Sequence, residues 1–292
     1  MQQSEETLRA PHVINMRDVY HDALRELAKP FPSIKLSRWS LFNKLTGGFR
    51  MREFSILCGP TGTGKTTLLA NFSEQLAGDG VKHFVMSIET GATDYMKRVL
   101  SVREKRDLNT GEPVPTSDLA KISTDHLEFI SRGAIEFSPY ESRLSVEQLM
   151  VEISYAVQVL HCRIVFIDNL NFLLRITRAQ DQVFEMDNVV HTLIEFVKTL
   201  EVHIVMVMHP KKTEHGRVIS EFDIKGSSTS VQEAQNVFLF NRPTPEEIGK
   251  NSRHPWDRDL TISKMRRRGQ FVGRTLMFKN NNTHYEEEVV YK

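Results

Sequence analysis

Gly59-Pro60-Thr61-Gly62-Thr63-Gly64-Lys65-Thr66 has the form G-x-x-x-x-G-K-[ST] and stands between the apolar run Phe54-Ser55-Ile56-Leu57-Cys58 and the helix-like Thr67-Leu68-Leu69-Ala70-Asn71-Phe72. Strand, glycine-rich turn and helix in that order make a phosphate loop. The glycines let successive backbone N–H groups face one ligand, and the helix start adds about half a unit of positive charge. Lys65 is expected to reach the β- and γ-phosphates of a nucleotide, and the Thr66 hydroxyl to ligate Mg²⁺. The expected nucleotide-binding residues are Gly59, Pro60, Thr61, Gly62, Thr63, Gly64, Lys65, Thr66 and Thr67.

Outward from the loop, strands and helices alternate. The first core strand spans 53–58 and is fed by the turn Thr46-Gly47-Gly48-Phe49; a helix at 65–78, a strand at 81–88 and a helix at 93–105 follow. A polar segment at 106–118 carries Gly111, Pro113 and Pro115 and reads as an exposed excursion. The pattern resumes with a strand at 134–137, a helix at 145–160, the apolar run 163–167, a helix at 181–200 and the apolar run 202–208. Continuous apolar runs of this length suit strands covered on both faces. The last third reads as three strands, at 237–240, 259–263 and 274–278, linked without helices. The expected class is α/β, with a mainly parallel sheet and antiparallel edge strands. Near the start, Val13, Met16, Val19, Tyr20, Ala23, Leu24 and Leu27 recur at helical spacing over 12–29, an amphipathic helix ended by Pro30 and Pro32.

In 292 residues, 38 Lys and Arg face 37 Asp and Glu, so no global field draws the chain to a polyanion and any such site is local. No apolar stretch approaches the roughly 18 residues of a membrane span, and the polar start Met1-Gln2-Gln3-Ser4-Glu5-Glu6 has no targeting pattern. A soluble chain is expected. Cys58 and Cys162 adjoin predicted buried strands and read as small core residues in a reducing compartment.

Several residues extend the loop's chemistry. Asp168 ends the strand 163–167, where a carboxylate meets a phosphate-bound cation at the carboxyl edge of the sheet. Glu89 ends the strand 81–88 and suits a base for an attacking water. His209 ends a third strand and is either a γ-phosphate sensor or a surface histidine. Lys264-Met265-Arg266-Arg267-Arg268 places four cations in five positions, which suits a solvated turn, an arginine finger or a contact to nucleic-acid phosphate. Two loops read as polyanion contacts: one with Arg175 and Arg178, the other with Lys211, Lys212, Lys225, Gly226, Ser227 and Ser228. Neither is rich in aromatic residues, so sequence-tolerant, salt-sensitive binding is expected of them.

In this order the motifs resemble those of the RecA-fold hexameric replicative helicases, the DnaB-like group, and within it the branch of the mitochondrial helicase Twinkle and its phage relatives. The resemblance runs from Leu36 to Phe278. Ser87-Ile88-Glu89 is similar to the second motif, whose Glu is the catalytic base, and Ile167-Asp168-Asn169-Leu170 to the Walker-B motif of the Twinkle branch. His209 in Met208-His209-Pro210-Lys211 stands where that branch has His and bacterial relatives often have Gln. Ile224 to Val237 resembles the last motif with its DNA-channel loop, and Ser263-Lys264-Met265-Arg266 the K-x-R pattern whose Arg acts on a neighbouring subunit's ATP. The catalytic set implied is Glu89, Lys65, Arg266, Lys264 and His209, with Thr66 and Asp168 on the metal.

The resemblance implies a RecA-like ATPase and helicase domain at 33–292 behind a linker or subunit-docking helix at 1–32. It also implies ATP and Mg²⁺ as cofactors, and a ring, expected to be a hexamer, moving 5′ to 3′ on single-stranded DNA and opening forked duplex. A replicative polymerase, a primase and a single-strand-binding protein are the implied partners, in a cytoplasm, a virus-infected host cytoplasm or a mitochondrial matrix; no membrane is involved. No primase-like or zinc-binding region precedes the motifs, so priming is not expected, and the chain reads either as a whole protein or as an excised helicase domain. Two rivals share the loop: a strand-exchange ATPase forming filaments on DNA, and a regulatory ATPase or helicase loader acting on proteins.

Overall fold

The computed structural model describes residues 14–30, 32–87, 90–122, 135–138, 145–169, 182–211, 217–224, 228–250, 252–281 and 283–291. The chain divides into two compact units, 1–32 and 33–292. In the first, α1 (Met16–Ala28) is N-capped by Asn15, whose side chain accepts from the Arg17 amide at 2.9 Å. Met16, Tyr20, Leu24 and Leu27 lie exposed along it. The helix is shorter than the 12–29 expected, because Asn15 satisfies one first-turn amide and fixes the start.

The second unit is built on a nine-stranded sheet. In chain order its strands are β3 (Glu53–Cys58), β4 (His83–Ser87), β5 (Ile135–Ser138), β6 (Ile164–Asp168), β7 (His203–Met208), β8 (Asn236–Asn241), β9 (Arg258–Met265), β10 (Thr275–Asn281) and β11 (His284–Tyr291). The short strands β1 (Ser33–Ile34) and β2 (Phe49–Arg50) form a separate antiparallel pair. Across the large sheet the order is β11-β10-β9-β8-β3-β7-β6-β4-β5. The six strands from β8 to β5 run parallel, and β9, β10 and β11 add antiparallel pairings at one side.

Side chains alternate faces along each central strand, and the two cores follow that parity. Phe54, Ile56, Val165, Ile167, Ile204, Met206, Val237 and Leu239 pack on one face with α5 (Val146–Gln158) and α6 (Gln182–Thr199). Leu57, Val85, Phe166, Val205, Val207, Phe238 and Phe240 pack on the other with α2 (Ser40–Thr46), α3 (Lys65–Gly78) and α4 (Ala92–Glu104). Helix α3 is buried nearly all round, and each of its core leucines withdrawn from water contributes roughly 1.5–3 kcal/mol. Cys58 and Cys162 are both buried, and burial pushes the Cys58 thiol up to about 12.

The last third is not strands alone. Between β8 and β9 stands a short helix, α8 (Pro245–Gly249), after α7 (Ser228–Glu233). It is fixed by a capping box between Thr244 and Glu247 with Pro at its start, a local signal that a search for strands passes over. A 3₁₀ turn, Gly269–Phe271, separates β9 from β10. The final strand β11 was not expected, since Glu286-Glu287-Glu288 breaks the apolar pattern; an edge strand tolerates those charges. The 106–118 segment is mostly exposed, tied by Arg106 to Asp118 at 3.0 Å, with helical residues at 116–122.

Candidate nucleotide site

Strand β3 lies between β7 and β8, and its chain leaves the carboxyl edge of the sheet as the phosphate loop. Two glycines there are required. A Cβ on Gly59 would sit 2.6 Å from the Phe240 carbonyl oxygen, and Gly64 has φ +89° with the Tyr285 hydroxyl 2.7 Å from where a Cβ would stand. Gly64 is the N-cap of α3 and no side chain caps that end, so the first-turn amides are available to a ligand. Lys65 is buried and donates from Nζ to the carbonyls of Gly59 at 2.7 Å and Pro60 at 3.0 Å. Thr63 Oγ1 donates to Pro60 O at 2.7 Å, tightening the same turn.

Sheet parity brings the second element in. Asp168 shares the face of Ile164 and Phe166, the α3 face, at the carboxyl end of β6. There Thr66 Oγ1 donates to Asp168 Oδ2 at 2.7 Å, with Asp168 only 2% exposed. Two hard oxygen donors side by side suit Mg²⁺, which is commonly held by one or two protein oxygens plus phosphates and water. Among the described residues no cluster of three or more His, Cys, Asp or Glu forms an all-protein metal cage.

His209 bridges loop and strand. Its Nδ1 lies 3.4 Å from Thr61 Oγ1 and 3.4 Å from Lys65 Nζ, and its Nε2 is 2.8 Å from the Asn169 side-chain amide. The shortest of these contacts sets the ring: Asn169 Nδ2 only donates, so Nε2 accepts, and a neutral imidazole carries its proton on Nδ1, toward Thr61 Oγ1. A solvated surface histidine does not fit these contacts.

A cavity of about 450 Å³ opens over the loop, lined by Thr61, Gly62, Gly64, Lys65, Thr66, Thr67, Asp168 and His209 on one side. Its other wall is Thr90, Arg98, Trp256, Arg258, Asn280, Thr283 and Tyr285, residues that carried no motif in the sequence. Arg258 is 2% exposed; its Nε donates to the Thr63 carbonyl and its Nη1 to the carbonyls of Asp257 at 2.6 Å and Pro255 at 3.1 Å. Arg242 Nη2 donates to the Gly62 carbonyl, so the ends of β8 and β9 both grip the loop backbone. Burial pushes the Arg258 guanidinium below its ordinary value, with Tyr285 opposing that and Arg242 adding to it. Arg98 Nε and Asn280 Oδ1 are buried polar atoms in this wall without a protein partner, and the exposed Trp256 offers a ring face. Phosphate amides, oxygen donors for a cation, polar atoms awaiting a ligand and an aromatic face together fit a Mg²⁺-nucleoside triphosphate.

The basic run lies elsewhere. Strand β9 is antiparallel to β8, so its start, Arg258, is at the loop edge and its end, Lys264 to Arg266, at the opposite edge. Lys264 Nζ donates to Val231 O at 2.8 Å and to Gln232 O, and Arg266 Nη2 to Gln232 O at 2.7 Å and Glu233 O at 3.1 Å. Both side chains therefore cap the last carbonyls of α7. Arg267 pairs with Glu53 at 3.3 Å, and Arg268 donates to Lys44 O at 2.6 Å. Of the predicted polyanion contacts, Lys211 is exposed after β7 and Ser228 opens α7. Glu89, Arg175, Arg178, Lys212, Lys225, Gly226 and Ser227 lie outside the described residues.

A family model described as the DnaB-like helicase C-terminal domain matches residues 36–287. The chain belongs to that family. A solved structure titled as an ATPase domain shares the fold, with TM-score 0.73 and 16% identity, covering 94% of this chain and 99% of that one. A second, titled as a DnaB-like replicative helicase and its interactions with primase, matches with TM-score 0.73 and 18% identity over 94% of this chain and 68% of that one. The chain is thus a DnaB-like helicase ATPase domain with the RecA-like sheet, and the family implies nucleotide and Mg²⁺ use. Among the described residues no helix is long and apolar enough to cross a membrane.

Proposed function

We propose that this chain is the motor of a ring-forming replicative DNA helicase, an assembly of six copies that hydrolyses ATP, moves on single-stranded DNA and opens forked duplex. The observation that carries this reading is the separation of two halves of one catalytic apparatus. Loop, Thr66 and Asp168 meet at one edge of the sheet, while Lys264 and Arg266 end β9 at the other. A cation so placed serves the phosphates of another copy rather than its own. In the roles proposed, Lys65 binds β- and γ-phosphate, Thr66 and Asp168 hold the cation, and Glu89 accepts the proton of the attacking water. His209 senses the loop, and Arg266 with Lys264 meets the charge that develops on the neighbour's phosphate. The bound metal would supply Lewis-acid polarisation of the phosphate oxygens.

The same placement supports coupling to DNA. Lys264 and Arg266 cap α7, the helix that follows the polyanion loop at Lys225, Gly226 and Ser227, so a finger that turns to a neighbour's nucleotide releases that helix end. Arg175, Arg178, Lys211, Lys212 and Ser228 are the remaining backbone contacts in this reading. Helix α1 docks on an adjacent copy, and its exposed Met16, Tyr20, Leu24 and Leu27 support that role. Polarity of 5′ to 3′ rests on the family resemblance alone, Asn169 and His209 in their motifs support a Twinkle-type branch, and the primase named with one structural relative supports a primase as partner.

Replacing Arg266 with Ala is the test. DNA-stimulated ATP turnover is expected to fall by about 10³-fold or more while a fluorescent ATP analogue binds as before. Normal turnover in that variant removes Arg266 from the mechanism, and a wild-type chain inert on forked duplex removes the helicase reading.

A further inference from the structure

Within the second predicted polyanion loop, between Lys212 and Lys225, the chain crosses the α6 face of the sheet as residues 217–224, and this crossing is tied down at both ends. Ile219 and Ile224 are its buried anchors, at 2% and 3% exposure. Ile219 N donates to Asn241 Oδ1 at 3.0 Å, and Ile224 bridges to Pro210. Ser220 caps the 3₁₀ turn Glu221–Asp223, giving the Asp223 carboxylate its amide at 2.7 Å and its hydroxyl at 2.8 Å. From the end of β7, Lys211 donates its amide to Asp223 O at 2.6 Å and its Nζ to Phe222 O at 3.3 Å.

On this braced turn Phe222 is 81% exposed, more than any other large hydrophobic side chain among the described residues. A single exposed apolar residue is ordinary on a protein surface. What distinguishes Phe222 is that its backbone is held on both sides while its ring is turned outward. Two cations and two carboxylates flank it, and only the cations are exposed. Lys211 and Arg217 are exposed beside it, whereas Glu221 is engaged by Ser263 Oγ at 2.7 Å and Asp223 by Ser220 and, at 3.6 Å, Arg217. Of the large apolar side chains exposed among the described residues, the one nearest Phe222 in the chain is Val218, too little surface for a protein partner to bury. A rigid aromatic face flanked by cations matches a nucleic-acid base with its phosphates.

We propose that Phe222 is a stacking platform for a base of single-stranded DNA, with Lys211 and Arg217 taking the adjoining phosphates. This rests on the reading of the chain as a DNA motor and deepens it, since the strand is then gripped by base as well as by backbone. It also revises the expectation that stacking plays little part. Because every base has a π face, the grip stays sequence-tolerant.

The test is binding of a labelled oligothymidylate, and of an abasic strand of equal length, to the full chain with a non-hydrolysable ATP analogue. Phe222→Ala is expected to weaken oligothymidylate binding roughly 5- to 100-fold with the salt slope unchanged, because no phosphate contact is lost. Phe222→Trp is expected to bind at least as well as wild type. On the abasic strand, wild type and Phe222→Ala should be alike, and nucleotide binding and oligomeric state should match wild type throughout. Equal oligothymidylate binding by wild type and Phe222→Ala overturns the proposal, as does an equal loss on the abasic strand. So does a change of oligomeric state, which would make Phe222 a contact between copies. A wild-type chain that binds neither strand removes the DNA reading itself and this platform with it.

Discussion

Arg258 shows what one buried cation does for a loop that has no secondary structure of its own. Its Nε donor meets the Thr63 carbonyl, and its remaining bonds go to carbonyls of its own approach, Pro255 and Asp257. Among the described residues no carboxylate bonds it directly, so much of its cost of burial is met by these carbonyl dipoles and the Tyr285 hydroxyl beside it. Arg258→Gln keeps some polarity but not the reach, leaving Thr63 O without its donor. The expected result is a loss of about 1–3 kcal/mol in thermal or denaturant stability, together with roughly tenfold weaker binding of a fluorescent ATP analogue as the loop loosens. Unaltered nucleotide affinity in a folded Arg258→Gln protein would reduce Arg258 to a structural residue. Neither Arg258 nor Arg242 was legible in the sequence, because each acts on backbone across 195 and 180 residues and neither sits in a local pattern. Lys65 and Thr66 were legible because all their context is contiguous.

At the scale of elements, the central strands were readable for a physical reason: β3, β6 and β7 are covered on both faces, so their residues form unbroken apolar runs. Two histidines interrupt those faces, His83 at the start of β4 and His203 at the start of β7. Burial pushes both down to about 4, opposed in each by a backbone carbonyl, Val81 O at 3.1 Å and Arg50 O at 2.7 Å. In His203 the carbonyl fixes the proton on Nδ1, and Nε2 accepts from Ser55 Oγ at 2.9 Å; Ser55 in turn accepts from Asn236 Nδ2 at 3.1 Å. A depressed histidine pKa means that the unfolded chain binds more protons than the folded one between the two values, so stability falls as pH drops from 6.5 toward 4. By pH 5 the loss is of order 2 kcal/mol for each ring. The raised carboxyl of Glu53, whose main cause is burial, works in the opposite sense and partly offsets this at lower pH. Melting curves between pH 7.5 and 5 are therefore expected to shift downward. His203→Asn, which keeps an amide donor toward Arg50 O, is expected to lie lower at neutral pH but to flatten this acid limb. An equally steep limb in the variant would place the titrating group elsewhere.

For the whole molecule, the antiparallel course of β9 matters most. One strand carries Arg258 at its start, against the chain's own loop, and Lys264 at its end, against the cap of α7 at the far edge of the sheet. A sequence shows both ends of that strand as neighbouring cations; only the pairing with β8 assigns them to opposite edges. If catalysis is shared between copies, two inactive chains must repair each other. Lys65→Ala removes the phosphate ligand and keeps the finger, whereas Arg266→Ala keeps the loop and removes the finger. In a ring joined head to tail, equal mixing gives about one interface in four an intact loop facing an intact finger. DNA-stimulated ATP turnover in the mixture is thus expected to rise well above that of either variant alone, to about a quarter of wild type if interfaces act independently. Co-assembly has to be checked by light scattering of the same mixture. A co-assembled mixture as inactive as its components would mean that Arg266 serves its own subunit's nucleotide or none, against the geometry of the sheet.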